Sequence, residues 1–364
     1  MKIAIVGAKA IPYSAGIDIF IEGLGIRLAA RGHDVTVFVR PHFSSHKEKI
    51  WQGIKLKAIP SIKTKHLDAI SHIALSTVYS LKSRPDIIHF HMIGSSPFCL
   101  FGRIFGLKTV LHVHGLDYER AKWGILAKVY LKIGAFLSAH LPHKTIVISE
   151  GLQKYYKDNF KRETIFIPPG LDMPQMQMPD EILKLGLKKD GYCLFLSRLV
   201  PEKGCHYLIN AFKKVDTDMK MVIAGSSTYD LGYVERLKDN SDPRIKFLGE
   251  ISPKTQKELY SNAYLFVQPS EIEGLPRTVQ EALSYGRCVL ASDIDGNKEA
   301  LGECGYTFRS KDINDLSSKI TFLTRRPDLV RAEFEKARKR ISMYYGWDNT
   351  VEKLEEVYRS LKGV

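Results

Sequence analysis

Apolar runs of four to six residues alternate with stretches in which apolar side chains recur every three or four positions. The first run, Lys2-Ile3-Ala4-Ile5-Val6, stops at Gly7 and reads as a buried parallel strand. A loop with Pro12, Ser14 and Gly16 follows. Phe20, Leu24 and Leu28 then share one helical face ending near Gly32, and Asp34 to Val39 is the next strand. This is a βαβ opening. Further strands are predicted at Ile87–Phe90, Thr109–Val113, Lys144–Ile148 and Ile165–Ile167, with helical stretches between them.

Pro168-Pro169-Gly170 interrupts the alternation with a stiff segment whose prolines lack amide donors. A polar stretch rich in Met and Pro leads to a second series. Its strands are predicted at Tyr192–Leu196, Met219–Ala224, Ile245–Leu248, Ala263–Val267 and Cys288–Ala291. Its helices are predicted around 206–214, 233–238, 255–261, 277–285 and 313–323. A last helix, 351–361, carries Leu354, Val357, Tyr358 and Leu361 on one face. The expected fold class is α/β, with two Rossmann-like doubly wound domains, 1–168 and 169–345. The helix at about 346–364 is expected to pack back on the first domain. Ligands of such folds bind beyond the carboxyl ends of the strands, so a cleft between the domains is the expected site.

Composition narrows the picture. At 364 residues and 44% hydrophobic content the chain is long and apolar enough for two cores, which excludes disorder. No stretch approaches the roughly 18 apolar residues of a membrane helix, and the opening MKIAIVG is too short for a signal peptide. Five scattered cysteines without a CxxC pair read as reduced thiols in a cytoplasm. The net charge of +14 is unevenly spread. Residues 1–170 hold 24 Lys and Arg against 11 Asp and Glu, while 171–364 hold 30 against 29. The first half therefore expects an anionic partner: a membrane surface, a nucleic acid or a phosphorylated substrate.

Five stretches carry candidate chemistry. In Pro269 to Ala282 a strand gives way to Glu273, Gly274, Leu275 and Pro276, then a helix holding Glu281. Pro276 suits the first helical position, and the free amides near Gly274 and Leu275 suit an anion. Two carboxylates so placed bind ribose or sugar hydroxyls, or else serve as a dipole cap and a solvated acid; spacing alone favours the second. In Ser197 to Gly204, Arg198 and Lys203 bracket a turn after a strand. They suit a diphosphate, or are simply two exposed bases. The loop from Gly7 to Asp18 lacks the GxGxxG pattern, though Gly16 lets backbone approach a phosphate at the helix start. His89, His91, His112 and His114 end two strands. A zinc site is conceivable, but carboxylate or cysteine ligands at metal spacing are missing, so structural histidines with one facing the cleft is the favoured reading. The stretch 121–136 combines Lys122, Lys128 and Lys132 with Trp123, Tyr130 and Phe136. It suits an anionic membrane, or an ordinary helix packed on its sheet, which is favoured for the segment alone.

Together these stretches resemble the retaining glycosyltransferases of family 4, which have the GT-B fold: two Rossmann-like domains facing a central cleft. Glu273 and Glu281 match an E-x7-E motif, and Ser197 to Gly204 resembles an R-x4-K-G loop. Ile167-Pro168-Pro169-Gly170-Leu171-Asp172 resembles the interdomain I-P-N-G-V-D segment. Gly7 to Leu24, His114 to Asp117 and Arg120 to Gly124 resemble a bacterial subgroup of rhamnosyltransferases in cell-surface polysaccharide assembly. The resemblance implies that a nucleoside-diphosphate sugar is the donor, as substrate, with no cofactor and no metal. Arg198 and Lys203 would hold the diphosphate, Glu281 the ribose and Glu273 the sugar hydroxyls. Amides near Gly16, Gly274 and Leu275 would add contacts, and His114 would stand beside the donor sugar. It also implies an acceptor-binding first domain, a donor-binding second domain, a glycan or lipid-linked acceptor, and a cytoplasmic enzyme in peripheral contact with the inner face of the membrane. Ala15-Gly16 replaces the usual Gly-Gly, Asp18 a Glu, Pro169 the linker Asn and Pro276 a second glycine. The alternatives are a nucleotide-sugar epimerase of the same fold and a non-catalytic nucleic-acid-binding protein. The second lacks any recognised nucleic-acid motif, so no nucleic-acid partner is expected.

Overall fold

The computed structural model describes residues 1–12, 16–44, 48–64, 67–119, 124–227, 231–239 and 242–363. The chain divides into two units, Met1–Gly170 with Trp347–Val364, and Leu171–Gly346.

Among its described residues the first unit holds eight strands: β1 (Lys2–Val6), β2 (Asp34–Val39), β3 (Ile50–Trp51), β4 (Ile54–Ala58), β5 (Ile87–His91), β6 (Lys108–Val113), β7 (Lys144–Val147) and β8 (Ile165–Phe166). Their order is β3-β4-β2-β1-β5-β6-β7-β8. All described neighbours are parallel except β3 and β4, an antiparallel pair joined through Gln52 and Gly53, both at positive φ. The order reverses direction between β1 and β5. There Gly7, at φ +131°, passes so close that a Cβ would lie 3.0 Å from the Cβ of His91. The β3–β4 pair is additional to the predicted strands. Lys55 and Lys57 alternate with apolar residues in β4, a pattern unlike the continuous apolar runs of the central strands.

The second unit holds β9 (Tyr192–Leu196), β10 (Lys220–Ala224), β11 (Ile245–Gly249), β12 (Leu265–Gln268), β13 (Cys288–Ser292) and β14 (Tyr306–Phe308), in the order β11-β10-β9-β12-β13-β14, all parallel. Its direction of winding reverses between β9 and β12, the crevice position of a doubly wound sheet. Helices beyond the predicted ones here include Asp295–Leu301 and Pro327–Tyr344. The longer one starts on a proline and buries only a narrow stripe that includes Val330, Ala337 and Ile341. Leu171 donates its amide to the Tyr345 carbonyl at 2.7 Å, so the entering and leaving segments of this unit run side by side.

The last helix, Trp347–Lys362, begins four residues before the predicted start. Val351, Leu354, Val357 and Tyr358 join Ile3, Ile5, Phe20, Leu24 and Leu28 in one core cluster. Trp347 fixes its position. A Cβ on Gly23 would come within 2.3 Å of the indole and one on Gly170 within 2.2 Å, so two glycines form its slot. Phe20 stacks on the ring at 5.7 Å, and the Arg27 guanidinium lies 4.4 Å from its centroid. Glu355 on the same helix accepts from Arg31 at 3.2 Å and pairs with His33 at 2.8 Å. Burial works against its charge, but these partners hold its carboxyl below the usual range. Replacing Trp347 with Ala leaves the two-glycine slot empty and should cost about 3–5 kcal/mol, read as a lower urea midpoint for the first unit. An unchanged midpoint would show that the slot contributes nothing.

Candidate active site

Both donor-type motifs follow the two strands at the winding reversal of the second unit. After β9, Ser197 to Gly204 folds into a 3-10 turn at Pro201–Lys203 and ends on Gly204 at φ +69°. Gly204 is required by two facts. Its φ is left-handed, and a Cβ would sit 1.9 Å from the Pro269 carbonyl oxygen. That contact presses the β9 loop onto the β12 loop. The backbone is tied as well, because Glu271 N–H donates to the Glu202 carbonyl at 2.9 Å.

The result is a hydrogen-bonded hub at Glu273. Its Oε1 accepts from Lys203 Nζ at 2.5 Å, Ser270 Oγ at 2.7 Å and Gln268 Nε2 at 2.9 Å. Glu273 Oε2 takes no partner among the described residues and stays available. Gln268 is oriented by Thr278, whose Oγ1 donates to Gln268 Oε1 at 3.2 Å. Gly296 on the following helix allows the backbone of this loop to pass, since a Cβ there would be 2.4 Å from the Glu273 carbonyl oxygen. Gln268, Ser270 and Thr278 are absent from the predicted site. The signal that marks them is a buried Gln at the end of an apolar strand.

Glu281 belongs to a separate network. Arg277 Nε donates to its Oε1 at 2.9 Å, and Tyr260 OH to its Oε2 at 3.3 Å. Among the described residues the two acids of the E-x7-E motif share no partner. Pro276 is the residue capping the helix Arg277–Ser284 rather than its first turn, a correction to the predicted position. Gly274 is exposed, while Leu275 packs partly into the core. Arg198 is exposed, with no side-chain hydrogen bond or ion pair among the described residues. Of the two bases predicted to bracket the turn, Lys203 is thus engaged by Glu273 and Arg198 is open to a ligand.

In the first unit, Asp18 is buried and accepts the Lys9 amide at 2.6 Å. Burial raises its pKa, against the pull of that amide. Gly16 opens the helix Gly16–Ala30 and is exposed, with nothing within 4 Å of a Cβ built there. Nothing in the described protein itself therefore demands glycine at 16. Ser14 and Ala15 lie outside the described residues, as do Arg120, Ala121, Lys122 and Trp123.

The four histidines form a column. His89, His91 and His112 are fully buried and His114 half-buried. His91 Nδ1 lies 2.9 Å from His114 Nε2, and His89 Nδ1 lies 2.7 Å from the Tyr358 hydroxyl. His112 stacks on His114 at 4.7 Å and 15°. Ring nitrogens of His89, His91 and His112 lie within 4.8 Å of one another, yet these rings are tilted by only 12° to 31°. Near-parallel planes do not aim their in-plane lone pairs at one ion as a tetrahedral site does.

A second feature of this unit is apolar and open. Helix Ile125–His140 exposes Ile125, Leu126, Val129, Ile133 and Phe136, with Leu126 at 88%. Helix Ser96–Ile104, with Phe105 after it, exposes Leu100, Phe101, Ile104 and Phe105. Ser96 Oγ donates to the Gly134 carbonyl at 2.7 Å, and Arg103 to the Leu141 carbonyl at 3.1 Å, so the two helices touch. Single exposed apolar residues are ordinary; eight on two touching helices, with Phe105 beside them, form a patch. The helix does pack by Leu131, Gly134 and Ala135, but the ordinary packed helix favoured for this segment understates its outer face. No helix among the described residues is long and apolar enough to cross a membrane.

The family profile for glycosyl transferases group 1 matches residues 178–340, and that for glycosyltransferase family 4 matches residues 15–174. The chain is 28% identical over 78% of its length, and 78% of the relative's, to a UDP-Gal:alpha-D-GlcNAc-diphosphoundecaprenol alpha-1,3-galactosyltransferase of Escherichia coli. It is 24% identical, over 96% of both chains, to an uncharacterized glycosyltransferase of Methanocaldococcus jannaschii. In fold it is similar to sucrose-phosphate synthase from Thermosynechococcus elongatus, with a TM-score of 0.83 and 21% identity over 100% of this chain and 99% of the other. It is likewise similar to HepE of Anabaena, solved in complex with UDP-glucose, with a TM-score of 0.82 and 18% identity over 99% and 100%.

The histidine column generates a pH prediction. Burial pushes His89 down to about 3 and holds His91 and His112 well below their ordinary value, with neighbouring histidines adding to the effect. Below the unfolded value of about 6.5 the unfolded chain then binds more protons than the folded one. Stability should fall as pH drops from 6.5 toward 3, by up to ~1.4 kcal/mol per pH unit for each histidine. Urea titrations between pH 7 and pH 5 read the slope, and His112→Gln should remove about one proton's share of it. A flat profile would mean that these rings are not kept neutral.

Proposed function

We infer, from a chain that joins a glycosyltransferase family 4 domain to a glycosyl transferases group 1 domain, that it is a retaining, metal-independent enzyme. It moves a hexosyl or deoxyhexosyl group from a nucleoside-diphosphate sugar to a glycan or lipid-linked glycan acceptor in cell-surface polysaccharide assembly. The observation that carries the reading is the Lys203–Glu273 contact, 2.5 Å long, which joins the R-x4-K-G loop and the E-x7-E loop at the winding reversal of the second sheet. One loop supplies cations for a diphosphate and the other carboxylates for hydroxyls.

Transfer leaves negative charge on the departing diphosphate and positive charge on the anomeric carbon. Exposed Arg198 offers a fork of N–H donors to the phosphate oxygens. Lys203 is prepared as a second cation, and its partner Glu273 keeps Oε2 for a sugar hydroxyl. Amides at Gly274 and Leu275, ahead of the helix Arg277–Ser284, add dipoles of the same sign. Glu281, fixed by Arg277 and Tyr260, suits the vicinal hydroxyls of a ribose. In the first unit, Gly16 and His114 are the residues that the family resemblance assigns to phosphate and sugar. These fixed charges stabilise the leaving group without a metal ion. Retention follows if the acceptor attacks from the leaving-group face and the departing phosphate takes its proton, which requires no protein nucleophile. The motifs of the first half favour the rhamnosyltransferase-like subgroup, hence a deoxyhexosyl donor.

The exposed apolar patch supports a lipid-linked acceptor. Lys128 and Lys132 lie on the helix that exposes Ile125 to Phe136, and Arg103 on its neighbour. Bases around apolar side chains suit the face of an anionic bilayer, and a peripheral enzyme on the inner face of the membrane would meet its acceptor there.

Two measurements test the reading. Arg198→Ala should lower transfer from a nucleotide sugar at least ~100-fold with an unchanged melting temperature, and EDTA should leave wild-type transfer intact. Near-normal turnover of the variant would refute the assignment, and a free nucleotide-sugar epimer formed without acceptor would identify an epimerase instead. For the membrane, Lys128→Glu with Lys132→Glu should weaken binding to anionic vesicles, and Phe101→Ser with Leu126→Ser should weaken it further. Equal binding to neutral and anionic vesicles would exclude the electrostatic part.

A further inference from the structure

We propose that Arg277 is a further donor-binding residue: the fork of its Nη1 and Nη2 takes two oxygens of the donor's diphosphate, between a sugar held at Glu273 and a ribose held at Glu281. The placing of sugar and ribose rests on the function proposed above.

Arg277 stands midway between Glu273 and Glu281 in the chain, in the first turn of the helix Arg277–Ser284. That turn reaches both acid networks. Arg277 Nε donates to Glu281 Oε1 at 2.9 Å. Its neighbour Thr278 donates to Gln268, which in turn donates to Glu273. In a nucleoside-diphosphate sugar the diphosphate is the link between sugar and ribose. A donor with its sugar at one acid and its ribose at the other therefore carries its phosphates across this turn.

The residue found there is the wrong one for an ordinary helix start. The first turn holds no acid, and a cation at the positive end of a helix dipole is disfavoured. The ion pair with Glu281 does not explain the choice. With the base ahead of the acid an i,i+4 pair runs against the dipole, and the reverse order is the more stabilising one. An anion lying over the turn offsets both penalties. The guanidinium is equipped to hold one. Its Nε is engaged by Glu281, while Nη1 and Nη2 have no acceptor among the described residues. They keep a planar two-donor edge that matches a phosphate. The side chain is 27% exposed, open to a ligand yet shielded enough that the attraction is screened less than on the open surface. Arg198 and Lys203 belong to the loop after β9 and Arg277 to the helix after β12, so the diphosphate is gripped from two segments of the chain.

Inorganic pyrophosphate separates contact from mere support of Glu281, because it has no ribose for Glu281 to hold. Calorimetry on the full chain compares it with UDP, GDP and dTDP. Arg277→Leu should weaken pyrophosphate and the bound nucleotide alike, each about tenfold or more, the loss of one charge-assisted hydrogen bond. Glu281→Gln should weaken the nucleotide while pyrophosphate binds no more weakly than before. If Arg277 only props Glu281, Arg277→Leu will copy Glu281→Gln and leave pyrophosphate affinity unchanged, and that result overturns the proposal. Should Arg277→Leu fail to fold, Arg277→Gln, polar but uncharged, gives the same comparison with the same two outcomes. A wild type that binds neither pyrophosphate nor any of the three nucleotides would refute the proposed function itself, and the role of Arg277 with it. A wild type that binds them, beside an Arg277→Leu that binds pyrophosphate equally well, refutes the role of Arg277 alone.

Discussion

At Gly204 the chain leaving β9 passes the chain leaving β12 at a distance that admits no side chain, since a Cβ would lie 1.9 Å from the Pro269 carbonyl oxygen. The hydrogen-bonded hub at Glu273 is assembled around that approach. It lets Glu271 N–H reach the Glu202 carbonyl, brings Lys203 onto Glu273, and packs three donors around one carboxylate oxygen. A glycine that looks like turn punctuation is a spacer between two loops, and the motif's Lys-Gly pair is one unit: the glycine permits the contact that the lysine uses.

The legible part of the fold was legible for one reason. Strands buried on both faces read as near-continuous apolar runs, so β1, β5, β6, β9, β10 and β13 stand out from residue types alone. Ile54–Ala58 alternates Lys with apolar residues near the sheet edge, and Tyr306–Phe308 is only three residues long; neither has such a run. The helix Pro327–Tyr344 hides a thin apolar stripe among charges. At the site, Arg198, Lys203, Glu273 and Glu281 could be named because their spacing forms motifs. Their division of labour could not be. That Glu273 and Glu281 belong to separate networks, and that Gln268 and Thr278 orient one of them, depends on which side chains meet across loops. The pairing of His91 with His114 likewise needs the register of β5 on β6, where His91 lies opposite His112.

The surplus charge of the first half acquires a physical setting. The second half, nearly neutral, sets one exposed arginine near a lysine that is paired with a carboxylate. The first half instead sets bases beside eight exposed apolar side chains on two touching helices, an arrangement that gains from contact with both the charged and the oily zones of a lipid surface.

The slot that Gly23 and Gly170 form for Trp347 has a consequence for how the molecule is made. The indole and the helix behind it complete a core whose other members lie within the first 170 residues. During synthesis those residues leave the ribosome well before 347–362 exist. The first sheet must therefore wait, with part of its apolar face uncovered, while the whole of 171–346 is made and can already close on itself. The unit translated second is free to finish folding first.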